Sequence, residues 1–146
     1  GLGDKHGLYL RALDAYIAQV GMGLAVALGD EALSLPQALD RIAVQAVDLY
    51  EGGRGCFLVS TTPAVAWDDA DVRERVASAL TAQDAALAGR FKRAQQAGEW
   101  PAQGDPAVAG SMVSALLHSL SLRARAGSSR QDLLDWARQG LGVLIA

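Results

Sequence analysis

Few side chains in this chain are equipped for chemistry at neutral pH: one cysteine, Cys56, two histidines, His6 and His118, and an acidic cluster at Asp68, Asp69 and Asp71. Arg54, two residues from Cys56, would favour the thiolate and make an oxidant or electrophile sensor. The other reading is a buried, inert thiol between Gly55 and Phe57. His118 is the only ionisable group between Ala107 and Leu122, so it is either a reader of pH or ligand charge, or a hydrogen-bonded histidine at an interface. The three aspartates have the chemistry of metal ligands, but the start of a helix explains negative charge there without a metal. One cysteine and two histidines leave no ligand set for a structural zinc. No G-x-S-x-G elbow, P-loop or H-E-x-x-H motif occurs, and no carboxylate pair shares a predicted loop with a histidine. The expectation is a protein that is not an enzyme and holds neither metal nor cofactor.

The stretch that must position any site is residues 105–127, DPAVAGSMVSALLHSLSLRARAG. A helix with no charge from Ala107 to Leu122 has no face to give to water. In a chain of 146 residues, part of that surface is expected to meet a second copy of the chain or a bound apolar molecule. The length fits one domain with a sizeable core. With 51 % hydrophobic and only 5 % aromatic residues, and alanine abundant, the composition favours an all-α fold. A formal charge of -3 supplies no basic field for nucleic acid. The lone cysteine suits a reducing cytoplasm, and lysine restricted to Lys5 and Lys92 fits a bacterial source. No leader segment is read at the start. The uncharged run, interrupted by Ser111, Ser114, Ser119 and Ser121, is too short to span a membrane.

The elements follow from caps and apolar spacing. Asp4 is expected to cap a first helix over about 5–28, with Gly21 and Gly23 weakening its middle. Ser34, Pro36 and Gln37 form a capping-box start for a second helix that runs to about Tyr50 and is stopped by Gly52 and Gly53. The apolar run 54–59 fits a buried strand or a short buried helix, and the absence of a partner strand favours the helix. Residues 63–67 connect to a long helix over about 69–97, ended by Gly98. Asp105 and Pro106 then open the uncharged helix, Arg123, Arg125 and Gly127 close it, and Ser128 and Ser129 begin the last. A turn this short makes the final two helices an antiparallel hairpin.

Several of these segments resemble the TetR family of transcriptional repressors. Residues 3–13, GDKHGLYLRAL, are similar to the start of the helix that joins the DNA-binding and regulatory parts. Residues 54–59, RGCFLV, the end of the long helix at 94–99, AQQAGE, and residues 124–129, ARAGSS, resemble the regulatory region of one large subgroup in the same order. The resemblance covers essentially the whole chain, 1–146, and implies an effector-binding and dimerisation domain of about six helices. It further implies a homodimer built as a four-helix bundle from the last two helices of each copy, and a cavity for a small apolar effector. DNA would be bound only through an N-terminal helix-turn-helix domain, which is absent from these residues. The alternatives are a helical interaction protein without a ligand, or a thiol sensor through Cys56.

For the effector, the apolar candidates are Phe57, Trp67, Phe91, Met112 and Leu116, with Ser60 and His118 as polar fixings. For the dimer interface they are Val113, Leu117, His118 and Leu120, with Leu134, Ala137 and Leu141 from the last helix.

Overall fold

The structure is a computed structural model and describes residues 2–51, 55–59, 62 and 68–146. Side chains are described from Asp4 onward. Five long helices account for most of it: α1 (Leu2–Gly29), α2 (Leu35–Tyr50), α3 (Ala70–Gln96), α4 (Pro106–Arg125) and α5 (Arg130–Ile145). With the short helical stretch that begins at Phe57, the fold is all-α with six helical segments and no strand among the described residues. The choice of helix over strand for 54–59 therefore holds at 57–59.

Four of the helix starts are set by side-chain caps, three of them by the residues expected to cap and one by Asp69, which was expected only to place charge at a helix start. Ser34 Oγ accepts from the Gln37 amide while Gln37 Oε1 accepts from the Ser34 N–H at 2.9 Å, a complete capping box. Asp69 accepts from the amides of Asp71 and Val72 at 3.0 and 3.1 Å. Asp105 does the same for Ala107 and Val108, and Ser129 for Asp132. Each pairs amide donors that a helix N-terminus otherwise leaves open. Gly98 and Gly127, at φ +75 and +97, end α3 and α4 in the left-handed region that L residues avoid. The first helix departs from expectation. It begins at Leu2, so Asp4 lies inside its first turn rather than at the cap, where its charge still complements the helix dipole. It also continues unbroken through Gly21 and Gly23. The glycine stop at 52 and 53 lies outside the described residues.

By length and composition α1 could cross a membrane, but Lys5, His6, Arg11 and Asp14 occupy its first half and it packs on α2 and α3. Its inner side buries Leu13, Leu24, Ala27 and Leu28. α2 lies at the centre and touches all four other long helices. Its Leu35, Leu39, Ile42, Ala43 and Val47 are almost wholly withdrawn from water.

Polar ties fix the far end. Arg93 donates to the Leu28 carbonyl, and Arg90 to the Leu33 carbonyl at 3.0 Å. Glu99 accepts from the Leu35 amide at 3.0 Å, and Gln95 Nε2 donates to the carbonyls of Pro101 and Gly104. The ends of α1 and α3 and the start of α2 are thereby joined where the last carbonyls of a helix need donors.

The most extensive helix pair is α3 with α4, and Gly110 shows how near they come. A Cβ built there would lie 2.6 Å from the Ala88 nitrogen and 3.0 Å from the Asp84 carbonyl oxygen. Backbone stands in the way, so relief requires moving a helix. Gly110→Ala is expected to lower stability by about 1–3 kcal/mol. Gly89→Ala, at a helical position with nothing within 4 Å of the new Cβ, should raise it by about 0.5–1 kcal/mol. Urea melts of the two variants check this, and an equal response would contradict the close approach.

Candidate functional site

A cavity of about 400 Å³ opens between α1, α2, α3 and α4. Its wall includes Tyr16, Ile17, Val20 and Leu24 of α1, and Ile42, Ala46, Leu49 and Tyr50 of α2. Ala79, Ala82, Gln83 and Ala86 of α3, Leu117 and His118 of α4, and Cys56 and Leu58 complete it. The volume is within the range of small-molecule sites, and the lining is apolar with a few polar groups, as such sites are.

The cavity exists because small residues face one another across the seam of α1 and α3. Ala79, Ala82 and Ala86 recur at helical spacing on α3, and Gly21 and Gly23 face the same space from α1. None of them fills it. Three glutamines, Gln19, Gln45 and Gln83, contribute uncharged polar groups, Gln19 and Gln45 being exposed and Gln83 half-buried.

The floor is held by the 55–59 segment. Gly55, at φ +65, takes a conformation that favours glycine, and a Cβ there would lie 2.9 Å from Ser121 Oγ and 2.8 Å from Arg125 Cγ. Next to it the Cys56 amide donates to Ser121 Oγ at 2.5 Å, with Ser121 fully buried. The Phe57 ring sits 5.7 Å from both Tyr9 and Tyr16, in tilted contacts that tie the segment to α1.

Two tyrosine hydroxyls accompany the thiol. Burial pushes the phenols of Tyr16 and Tyr50 upward, and the neighbouring Cys56 adds to it, so both remain protonated donors. Tyr16 Oη is buried against Cys56 and Phe57 and completes no hydrogen bond of good geometry. An unmade bond of this kind costs about 1–3 kcal/mol.

The structure redistributes the candidate residues. Leu117, expected at the dimer interface, lines the cavity, as does His118, which was expected either at that interface or as a polar group of the effector site. Of the effector candidates, Phe91 is fully buried with its ring 4.8 Å from that of Trp100, in the core away from the cavity wall. Leu116 is buried on the α5 side of α4, where a Cβ on Gly140 would meet its Cδ1. Met112 is 45 % exposed and points outward. Phe57 props the cavity through Tyr16 rather than lining it, and Ser60 and Trp67 lie outside the described residues. Val113, Leu120, Leu134, Ala137 and Leu141 are largely buried within the single chain, which leaves them little surface to offer a second copy.

Among the cavity residues not anticipated were Tyr16, Tyr50, Gln45 and Gln83 and the small residues of α3. They carry no distinct signal in the sequence, because Ala79, Ala82 and Ala86 look like ordinary helix-forming residues. The acidic cluster serves a cap through Asp69, and His6 bridges Asp69 and Asp71 at 3.3 and 3.4 Å from its two ring nitrogens. These contacts tie α1 to α3, and the ligand atoms of His6, Asp69 and Asp71 lie within 4.8 Å of one another, a spacing that also suits a metal ion.

Residues 37–141, more than half of the chain, match the family described as Tetracyclin repressor-like, C-terminal domain. The chain belongs to this family. No curated protein and no solved structure matches this chain. Membership carries a regulatory role in a TetR-family repressor, and domains of the family typically dimerise and bind small ligands.

Within the TetR-like domain, burial lowers the pKa of His118 below the ordinary 6.5, opposed in part by the charge of Asp84. The unfolded chain therefore takes up this proton first, so stability rises with pH across the window between the two values. The contribution is complete above about pH 6.5 and is lost as pH falls towards the depressed value. The melting temperature should drop between pH 7 and pH 5, and His118→Gln should drop less over the same interval. Parallel slopes for the two proteins would contradict the burial of a neutral imidazole.

Proposed function

We propose that this domain binds a small apolar effector in the cavity between α1, α2, α3 and α4 and passes the occupancy to a DNA-binding head N-terminal to α1. The observation that supports the reading is the cavity itself, because its volume and apolar lining suit a ligand and its walls include the helix that leads to such a head. An effector that fits one spacing of α1 and α3 better than another shifts the population towards that spacing. Only the difference in affinity does this work. The cytoplasm is the compartment in which such a regulator meets DNA.

The domain acts as a homodimer in this reading. Val108, Met112, Ala115, Ser119 and Leu122 alternate at four and three residues along the outer side of α4, and Val143 lies exposed on α5. Such spacing is that of a helical-bundle seam. Trp136 is half-buried beneath the Arg123 guanidinium, 4.1 Å from the ring centre, and extends the patch. The paired faces form a four-helix bundle, with outward residues in place of the buried ones expected from the sequence.

The neutral fluorophore 1-aminoanthracene tests the cavity. Its emission should rise and shift to the blue on saturable binding to the wild-type domain. Ala46→Phe, which places a ring in the cavity from α2, should weaken binding about tenfold or more, in line with about 1.4 kcal/mol or more lost. Unchanged binding by a folded Ala46→Phe variant would overturn the assignment.

A further inference from the structure

The chemistry of the cavity wall narrows the class of effector, an inference that rests on the proposed ligand-binding role of this cavity. Among the described lining residues there is no Asp, Glu, Lys or Arg. The polar groups are the three glutamine amides, the hydroxyls of Tyr16 and Tyr50, the Cys56 thiol and the His118 ring. A carboxylate or ammonium entering such a site would give up its water without gaining an opposite charge, which is expensive. His118 offers no relief, because its burial favours the neutral ring.

One group in the wall asks for a partner. Tyr16 Oη is buried and lacks a well-formed hydrogen bond, although the rest of its side chain is held firmly by the contact with Phe57. Its hydroxyl stands beside the Cys56 thiol, which also lines the cavity. A protonated phenol in this position has a hydrogen to donate and only a weak sulfur acceptor nearby. Tyr50 is bounded by the same sulfur and is almost entirely buried, whereas Tyr16 is half-buried and forms part of the cavity wall, with its hydroxyl just beneath the wall's surface.

We infer that the effector is an uncharged, largely apolar molecule carrying a hydrogen-bond acceptor, such as a carbonyl or ether oxygen, which takes the hydrogen bond of the Tyr16 hydroxyl. The acceptor replaces a missing partner in the cavity wall. A hydrocarbon of the same shape leaves the donor unmet, and an anion of that shape adds a desolvation cost. Selectivity for the oxygen comes from the protein's unmet donor rather than from charge.

Three compounds of nearly equal shape separate these cases: 9-fluorenone, which has the acceptor, fluorene, which lacks it, and fluorene-9-carboxylate, which is charged. Each is titrated against the domain carrying bound 1-aminoanthracene. Fluorenone is expected to displace the dye at about tenfold lower concentration than fluorene, with the carboxylate weakest. Tyr16→Phe should abolish the advantage of fluorenone while leaving fluorene unchanged, which a purely structural role for the hydroxyl would not do. Displacement by the carboxylate at least as good as by the ketone overturns the inference. So does an advantage of fluorenone that persists in Tyr16→Phe, or dye that none of the three displaces. Failure of the dye itself to bind the wild-type domain would instead overturn the ligand-binding reading on which the inference rests.

Discussion

The distance between α3 and α4 governs the arrangement of this domain. Gly110 allows the α4 backbone to approach that of α3 at Ala88, nearer than any side chain would permit. A helix seated that closely cannot rotate freely about its axis without bringing a side chain into the contact. Its phase then decides the rest. Leu117 and His118 turn to the cavity, Val113 and Leu120 to the core, and Met112 and Leu122 to the outside. The cavity and the outer apolar stripe are two consequences of one packing constraint.

The helices were legible because their ends carry the signals that fix them. Ser34 with Gln37, Asp69, Asp105 and Ser129 each use a short polar side chain to satisfy amides within three residues, and such local chemistry is written in the sequence. The need for α4 to be buried was equally plain from the absence of charge. Which of its faces went where was not. A helix apolar on every side has no polar face to set its orientation, so periodicity could not separate Leu117 from Met112. The close contact that sets it depends on Ala88 of another helix. The cavity was hidden for a related reason. It is formed by side chains that are too small, and Ala79, Ala82 and Ala86 read alone as ordinary helix-forming residues. Phe91 misled in the opposite way, since a large aromatic residue suggests a ligand contact but is used here to pack against Trp100.

The distribution of polar ties around α1 bears on how an effector could act. Its C-terminal end is held by Arg93 at the Leu28 carbonyl and by buried Leu24, Ala27 and Leu28. Its N-terminal half is joined to α3 by ion pairs near the surface, Asp14 with Arg75 at 2.8 Å and His6 with Asp69 and Asp71. Solvated pairs of this kind contribute little to stability and exchange partners readily. Between the two ends lies the cavity. In the proposed mechanism a ligand bound there acts on a helix pinned at its far end, anchored mid-way by buried Leu13 and by Tyr9 and Tyr16 against Phe57, and tethered by surface ion pairs nearer the head, so a change in packing becomes a change in tilt.

The most direct test concerns the phase of α4, because both proposed roles depend on it. The molar mass of the domain by light scattering, together with 1-aminoanthracene binding, is measured for the double variant Met112→Glu, Leu122→Glu. The account predicts a wild-type dimer, and a folded monomer for the variant that still binds the dye, since the outer face is then disrupted while Leu117 and His118 remain in place. A variant that stays dimeric would contradict the assignment of the outer face, and a monomer that no longer binds the dye would contradict the separation of the two faces.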